Sequence, residues 1–383
     1  MNMFPILTHS QLIDKVKSFD AVKYAKTRNY LSGGVSQLSP YITHGVITID
    51  EIVRLSLTRY TIDQAEQWYK ELLRREYFVQ VHYRKGDAIF QDMEEDKTGI
   101  AKHDLLPEQV VTKTFGSGWV NQTILQLENI WYLHNHQRMW LASYMTHRQK
   151  LYWLKCADRT YYHFIDGELG SNHLSWQRVQ STFSGKPYFM NEENLTRYGK
   201  FTDSIYRGEY EDIESKIFDH KRGSDVWNST DVHNTLITDL SMIPKAQVSY
   251  DGYTILTPRD FHPSKITDPG QSVCILDIQF LQSHPWSSKR LDFIQQYCWL
   301  YGIDLVQWRI DKIIAQSHDI TIYETQNPFY RQAYERASDR EDITYYPHQR
   351  CSPAVRQWYN KKFFPFWEKT KTHLYTLQHK IWK

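Results

Sequence analysis

The chain has 383 residues, of which 41% are hydrophobic and 15% aromatic, enough for one large or two ordinary domains. Its 46 Lys and Arg nearly balance 44 Asp and Glu, for a formal net charge of +2; bulk charge therefore argues neither for nor against nucleic acid, and any DNA affinity needs a local basic patch. No apolar run reaches the roughly 18 residues of a membrane helix, and the opening MNMFPILTHS lacks the basic and apolar regions of a secretory signal. Cys156, Cys274, Cys298 and Cys351 are scattered, with no CxxC or His/Cys spacing for zinc and no thiolate cluster for an iron–sulfur centre. No metal site is expected, and a cytoplasmic chain with free thiols is the simplest account.

Residues 10–215 read as helices. Over Thr61–Tyr83, the residues Ala65, Trp68, Leu72, Arg75 and Val79 recur at spacings of three and four, which predicts a long helix. Trp119–Glu128 and Gln137–Gln149 are further helices, and Asp158–Phe164 starts another with Asp158 as its N-cap. These stripes alone predict a generic α-bundle. Composition shifts near residue 220, where Lys221-Arg222-Gly223-Ser224-Asp225 reads as a linker. Asp251-Gly252, within Val248–Leu256, is a hairpin signal. Val273–Phe280, Ile303–Trp308 and Ile320–Glu324 read as strands, separated by helices at Ser287–Leu300 and Asp311–Gln316. Val355–Lys383 closes the chain as an aromatic, lysine-rich helix. The alternation predicts a small α/β layer with some parallel strands. The expected fold is mainly α: a helical domain over residues 1–220, then a smaller α/β domain over 221–383.

His134–Trp176 is the chemically densest stretch. Asn135, Arg138, Asp166, Glu168 and Asn172, with Trp153 and Trp176, sit there among helix formers, an inventory suited to a deep pocket for a large aromatic cofactor with a polar edge. Upstream, Val35-Ser36-Gln37-Leu38-Ser39 can offer consecutive backbone N–H groups and two hydroxyls to a diphosphate, although serine-rich turns are common. Trp68, Glu71 and Arg75 share one helix face, where a solvent-facing ion pair alone is worth little.

These blocks resemble the photolyase/cryptochrome family. HNxxRM (His134, Asn135, Arg138, Met139), FIDGELGSN (Phe164–Asn172) and Trp176 resemble its flavin-site words. YAKTRNYLSGGVSQLSPY (Tyr24–Tyr41) resembles its diphosphate-binding stretch, and WYKELLRREY (Trp68–Tyr77) its W-x-x-E-L-x-W-R-E-F helix. Order and spacing agree over roughly residues 10–210. The resemblance implies a helical photolyase-type domain with FAD as its cofactor. Tyr24 and the loop Val35, Ser36, Gln37, Leu38 and Ser39 would hold the diphosphate, with Val35 standing where the family has threonine. Trp68 would pack near the adenine, Glu71 would accept polar contacts, and Arg75 would meet cofactor or pocket carboxylates. Arg138, paired with Asp166, would place positive charge at the flavin edge, with Tyr132, Asn135, Glu168 and Ser171 completing the cofactor set. Glu168 replaces the more usual aspartate. Asn172 maps to the position facing flavin N5; an amide there accepts a hydrogen bond but supplies no proton, which leans toward a photolyase-like flavin.

Trp176 and Trp153 match two members of the family's electron-transfer chain, although buried tryptophans are by default core. Residues 85–115 hold no tryptophan for the usual third member, so the exit runs elsewhere, through Trp140 or a tyrosine. Where family members that repair pyrimidine dimers sandwich the flipped bases between two tryptophans, this chain carries Arg74 and Arg178; Met139, at the border of that pocket, is retained. The run STFSGKPYF (Ser181–Phe189) resembles bacterial branches of the family. The α/β part follows the helical part, the reverse of the usual order, and Phe280–Ser287 shows no glycine-rich dinucleotide loop for an antenna cofactor. Three functions fit: a light-driven DNA lyase acting on pyrimidine dimers in lesion-containing or single-stranded DNA, a blue-light photoreceptor with a protein partner, and a non-photochemical FAD-binding protein. Fold alone does not choose among them.

Overall fold

The computed structural model describes residues 4–183, 185–203, 206–208, 211–213, 215, 228–325, 327–347 and 362–382. Cys351, the segment Lys221–Asp225 and the start of the closing stretch lie outside these residues. In chain order the longer elements are α1 (His9–Ser18), α2 (Ile49–Leu57), α3 (Glu66–Lys85), α4 (Gly118–Ile130), α5 (Asn135–Ser143), α6 (Trp153–His163), α7 (Leu169–Gln180), β1 (Thr254–Leu256), β2 (Ser272–Asp277), α8 (Ser288–Tyr301), β3 (Asp304–Trp308), β4 (Ile320–Tyr323), β5 (Ile343–Tyr346) and α9 (Phe363–Ile381). The fold is mainly helical with one small sheet. Compactness does not follow the boundary at residue 220. One unit holds 26–35 and 87–236; the other holds 4–25, 36–86 and 237–383. No helix among the described residues is long and apolar enough to cross a membrane.

The first unit is helical. Its core gathers Trp119, Val120 and Ile124 of α4, Trp140 and Leu141 of α5, Trp153 and Ala157 of α6, and Trp176 of α7. Local chemistry sets the helix ends. The His134 side chain accepts the His136 N–H at the start of α5, as an N-cap must. The helix expected to run to Gln149 instead leaves α-geometry at Tyr144, and Tyr144–Arg148 forms a π-helical turn. Asp158 is not an N-cap: α6 starts at Trp153, and the Asp158 carboxylate lies 3.0 Å from His173 Nε2 on α7. A long-range partner replaces the local one.

The second unit carries the sheet, in the order β3-β2-β1-β4-β5, with every pairing parallel. Asp251-Gly252 is therefore no hairpin. It is a turn, with Gly252 at φ +77°, leading into β1, whose two neighbours are both parallel and need crossover connections. β2 stops at Asp277 rather than Phe280 because the Asp277 carboxylate accepts the Phe280 N–H at 2.9 Å and turns the chain into a short helix. Helix α3 starts at Glu66, not Thr61. Helix α9 belongs to the same unit: its buried Phe366 meets Tyr77 of α3, ring centroids 5.4 Å apart. Gly45, at φ +67°, lies where a Cβ would collide with the Arg259 carbonyl oxygen. That close approach, together with His44 Nδ1 at 2.7 Å from the Pro258 oxygen, fixes the loop that follows β1.

Candidate functional site

In the helical unit, Arg138 sits one turn into α5 and Asp166 in the turn between α6 and α7. Arg138 Nη2 donates to Asp166 Oδ2 at 2.8 Å and Nε to the Leu133 carbonyl at 2.9 Å. The guanidinium lies 3.9 Å from the Phe164 ring centroid and 5.2 Å from that of Tyr132. Asp166 is buried while the Arg138 side chain keeps 28% exposure. The pair offsets the cost of burying a carboxylate, and the stacked fork is held in one plane. These contacts use Nε and Nη2, leaving Nη1 for an anionic or carbonyl edge. Burial, then His136 and Arg138, push His134 down to about 4; burial, then Arg28, does the same to His136. Near neutral pH both imidazoles are uncharged, so Arg138 supplies the positive charge here. Asn135 is exposed, and its Nδ2 contacts Met139 Sδ at 3.4 Å.

Helices α6 and α7 bring the next group together. Thr160 Oγ1 accepts the Trp176 Nε1–H at 3.1 Å and lies 3.2 Å from Asn172 Oδ1, while Asn172 Nδ2 donates to the Ala157 oxygen at 2.8 Å. Glu168 caps α7: its two oxygens accept the N–H groups of Gly170 and Ser171 at 3.1 and 2.6 Å. The extra methylene that separates it from aspartate lets it reach back over the helix start. Trp153 is buried and donates to Asp92 Oδ1 at 2.7 Å. Tyr152 donates to the same oxygen at 3.1 Å and is in ring contact with Trp153 at 5.7 Å. His173, fully buried, stands edge-on to Trp153 at 6.0 Å. Arg178 is exposed on α7. Thr160, Asp92, Tyr152 and His173 are absent from the sequence-derived set. Each works through a partner distant in sequence, and no local pattern announces that.

The remaining candidates, Val35 apart, lie in the sheet-bearing unit. Gln37 has φ +53° and Leu38 is right-handed (φ −85°, ψ −13°). Adjacent residues of opposite hand turn successive N–H groups toward one point, a backbone nest for anions. Arg75 Nη2 donates to Thr43 Oγ1 at 2.5 Å, tying α3 to the residues just beyond that loop. Trp68 is buried, meets Tyr24 edge-on at 5.4 Å and Phe19 at 4.6 Å, and donates to Ser56 Oγ. Glu71 accepts from Gln67 at 2.7 Å and pairs with Arg74 at 3.5 Å. The Arg74 guanidinium lies 4.8 Å from the Phe363 ring centroid.

A small cavity of about 20 Å³ is lined by Trp176, Leu106, Leu127, Met145 and Cys156, with Arg159 and Glu128 also among its walls. Arg159 is paired with Glu128 at 2.7 Å, and the other walls are mainly apolar, so this is not a diphosphate site.

Residues 68–210 match the family model described as the FAD binding domain of DNA photolyase. This stretch is similar to the FAD-binding domain of the photolyase/cryptochrome family. Curated relatives named deoxyribodipyrimidine photo-lyase include those of Streptomyces griseus (26% identical, 38% of this chain and 32% of the relative), Thermus thermophilus (25%, 44% and 40%) and Buchnera aphidicola (26%, 52% and 44%). The chain thus spans 32–44% of the length of these photo-lyases. Two solved structures, an Agrobacterium tumefaciens class III photolyase and a Synechocystis cryptochrome, are each 20% identical with a TM-score of 0.44. They align over 50% and 52% of this chain and 43% and 44% of their own. FAD is the cofactor of the photolyase/cryptochrome domain, and the residues present suit it. In the helical unit, Arg138 with Nη1 to spare suits the polar edge of a flavin; in the sheet-bearing unit, taken by itself, the nest at Gln37–Leu38 suits a diphosphate. The matched stretch begins at Trp68, so the nest lies outside it and rests on its own geometry.

Proposed function

We propose that this protein is a light-driven electron-transfer flavoprotein that repairs pyrimidine dimers in DNA. The observation that carries the reading is the Thr160 hydroxyl, which holds both the indole N–H of Trp176 and the amide of Asn172. FAD, when bound, supplies light absorption and redox capacity. Arg138 holds a positive charge against it, kept in place by Asp166. Asn172 offers an amide, which cannot deliver a proton as an acid would. Trp176 donates an electron, Trp153 refills Trp176, and Tyr152 serves as the exit, its phenol proton passing to Asp92. Met139 and the exposed Arg178 border the substrate side, where arginine contacts with phosphate give binding that is salt-sensitive and poor in lesion discrimination. Single strands, in which flipping a lesion costs least, are the expected best substrate.

A second reading has its own support. Arg74, which stands where dimer-stacking members have tryptophan, is engaged by Glu71 and Phe363. That favours a photoreceptor without repair. One assay separates the two: fully reduced protein, with light, on cyclobutane and (6–4) lesions in single- and double-stranded DNA. Turnover on single-stranded dimers is expected. No turnover on any of the four substrates rejects the lyase. Photoreduction under blue light, slowed strongly by Trp176→Phe and less by Trp153→Phe, tests the electron route; equal rates in all three proteins remove it.

A further inference from the structure

The sheet-bearing unit holds a second cluster, remote in sequence from every motif described above. His9 opens α1, Glu51 lies in the first turn of α2, and His262 lies in the loop after β1, so the partners are 42 and 211 positions apart. Nε2 of each histidine is 2.9 Å from the same carboxylate oxygen, Glu51 Oε1. The three ligand atoms lie within 4.8 Å of one another. The side chains are 20%, 28% and 16% exposed, so the cluster is sheltered but open to an ion.

Each ligand is held from behind. Glu51 Oε2 accepts from the Thr48 N–H and hydroxyl at 2.8 and 2.9 Å, which leaves Oε1 for the imidazoles. His262 Nδ1 accepts the Ser264 N–H at 3.2 Å and lies 2.7 Å from Ser264 Oγ, which fixes the ring with Nε2 toward Glu51. His9 directly follows Thr8, whose side chain closes the capping box of α1. The loop bearing His262 is pinned by the close approach at Gly45 and by His44.

We propose that His9, Glu51 and His262 bind one Zn²⁺ through two imidazole nitrogens and one carboxylate oxygen, joining α1, α2 and the loop after β1 and leaving a fourth position for water. Two histidines and one glutamate are an established three-ligand donor set for zinc with an open position. Ligands about 2.0–2.1 Å from a tetrahedral ion stand roughly 3.3 Å apart, so the 2.9 Å separations need to open by only a few tenths of an ångström. Without metal, both imidazoles donate to Oε1 and the same atoms form a hydrogen-bonded joint.

The test uses the full-length protein stripped by chelator and titrated with zinc chloride by calorimetry. Stoichiometric uptake of one ion is expected, with a rise in melting temperature. His9→Ala, His262→Ala and Glu51→Gln each should weaken binding by more than about tenfold, because losing an outer-sphere partner alone costs roughly 10–100-fold; Ser264→Ala should weaken it less. Circular dichroism and flavin content check the fold of each variant. If a variant fails to fold, cobalt substitution in the wild type decides, by whether a low-symmetry visible spectrum with nitrogen and oxygen ligation appears. No one-to-one uptake at micromolar zinc, or unchanged affinity in the His9→Ala/His262→Ala double variant, overturns the site and leaves the hydrogen-bonded joint.

Discussion

The central strands of the sheet-bearing unit and the helices around Arg138 in the other unit bury different kinds of residue. In the sheet-bearing unit, β2 is buried along all six of its residues and β1 along all three, the pattern of a parallel sheet covered on both faces. In the helical unit, the buried set includes Asp166, Glu168, His173, Gln177 and His147. Apolar burial stabilises, whereas buried polar groups cost free energy unless their bonds are made. The difference teaches where to look for chemistry: around Arg138 the buried polar groups hold one another in place, whereas the central strands are mainly apolar.

The comparison breaks or sharpens through substitutions of decreasing effect. Ile275→Ala, in fully buried β2, should cost about 4 kcal/mol by leaving a cavity, read as a shift of the denaturation midpoint. A cost below about 1 kcal/mol would mean that the sheet core repacks. Arg138→Ala should cost about 3 kcal/mol, because it strands the Asp166 carboxylate, and should release much of the flavin, measured as the ratio of flavin to protein absorbance after gel filtration. Full occupancy in that variant would show that the pair is structural only.

The two carboxylate caps give a closer match. Asp277 accepts the N–H groups of both Phe280 and Ile310 at 2.9 Å, whereas Glu168 accepts two from its own helix. Asp277→Ala should therefore cost about 2 kcal/mol and Glu168→Ala about 1 kcal/mol; the reverse order in urea melts would contradict this ranking.

Acid should act on the units in different windows. Burial and nearby positive charge hold His134 and His136 down to about 4, and His147 and His163 down to about 3. Unfolded histidines titrate near ~6.5. Below that pH the unfolded state binds more protons, so the contribution present above ~6.5 is lost as pH falls toward the folded values. In the other unit, Arg340 and then His318 hold Asp342 down to about 2. That contribution persists until pH drops below the ordinary carboxylate range, roughly 4. Hydrogen exchange at about pH 5 should show α5–α7 losing protection while β2 and β4 keep theirs. Parallel loss in both would remove the distinction.

Much of this molecule was legible in sequence because the signals are local. Helical spacing marked α3 and α4, and the alternation after residue 220 located β2, α8, β3 and β4 to within a few residues. Motif words implied a pairing of Arg138 with Asp166, which the structure contains at 2.8 Å. Other features depended on partners that local pattern does not encode. Asp158 has the residue type of a cap, but a histidine on the next helix claims it. Asp251-Gly252 has the composition of a hairpin, but parallel neighbours on both sides of β1 exclude one. Residues 4–25 and 36–86 group with the sheet and not with the rest of the helical half. His9, Glu51 and His262 carry no spacing signal, since ligand spacing is readable only when ligands share a local element. Periodicity and motif are properties of the chain; the meeting of three distant side chains at one oxygen exists only once helices and sheet have packed.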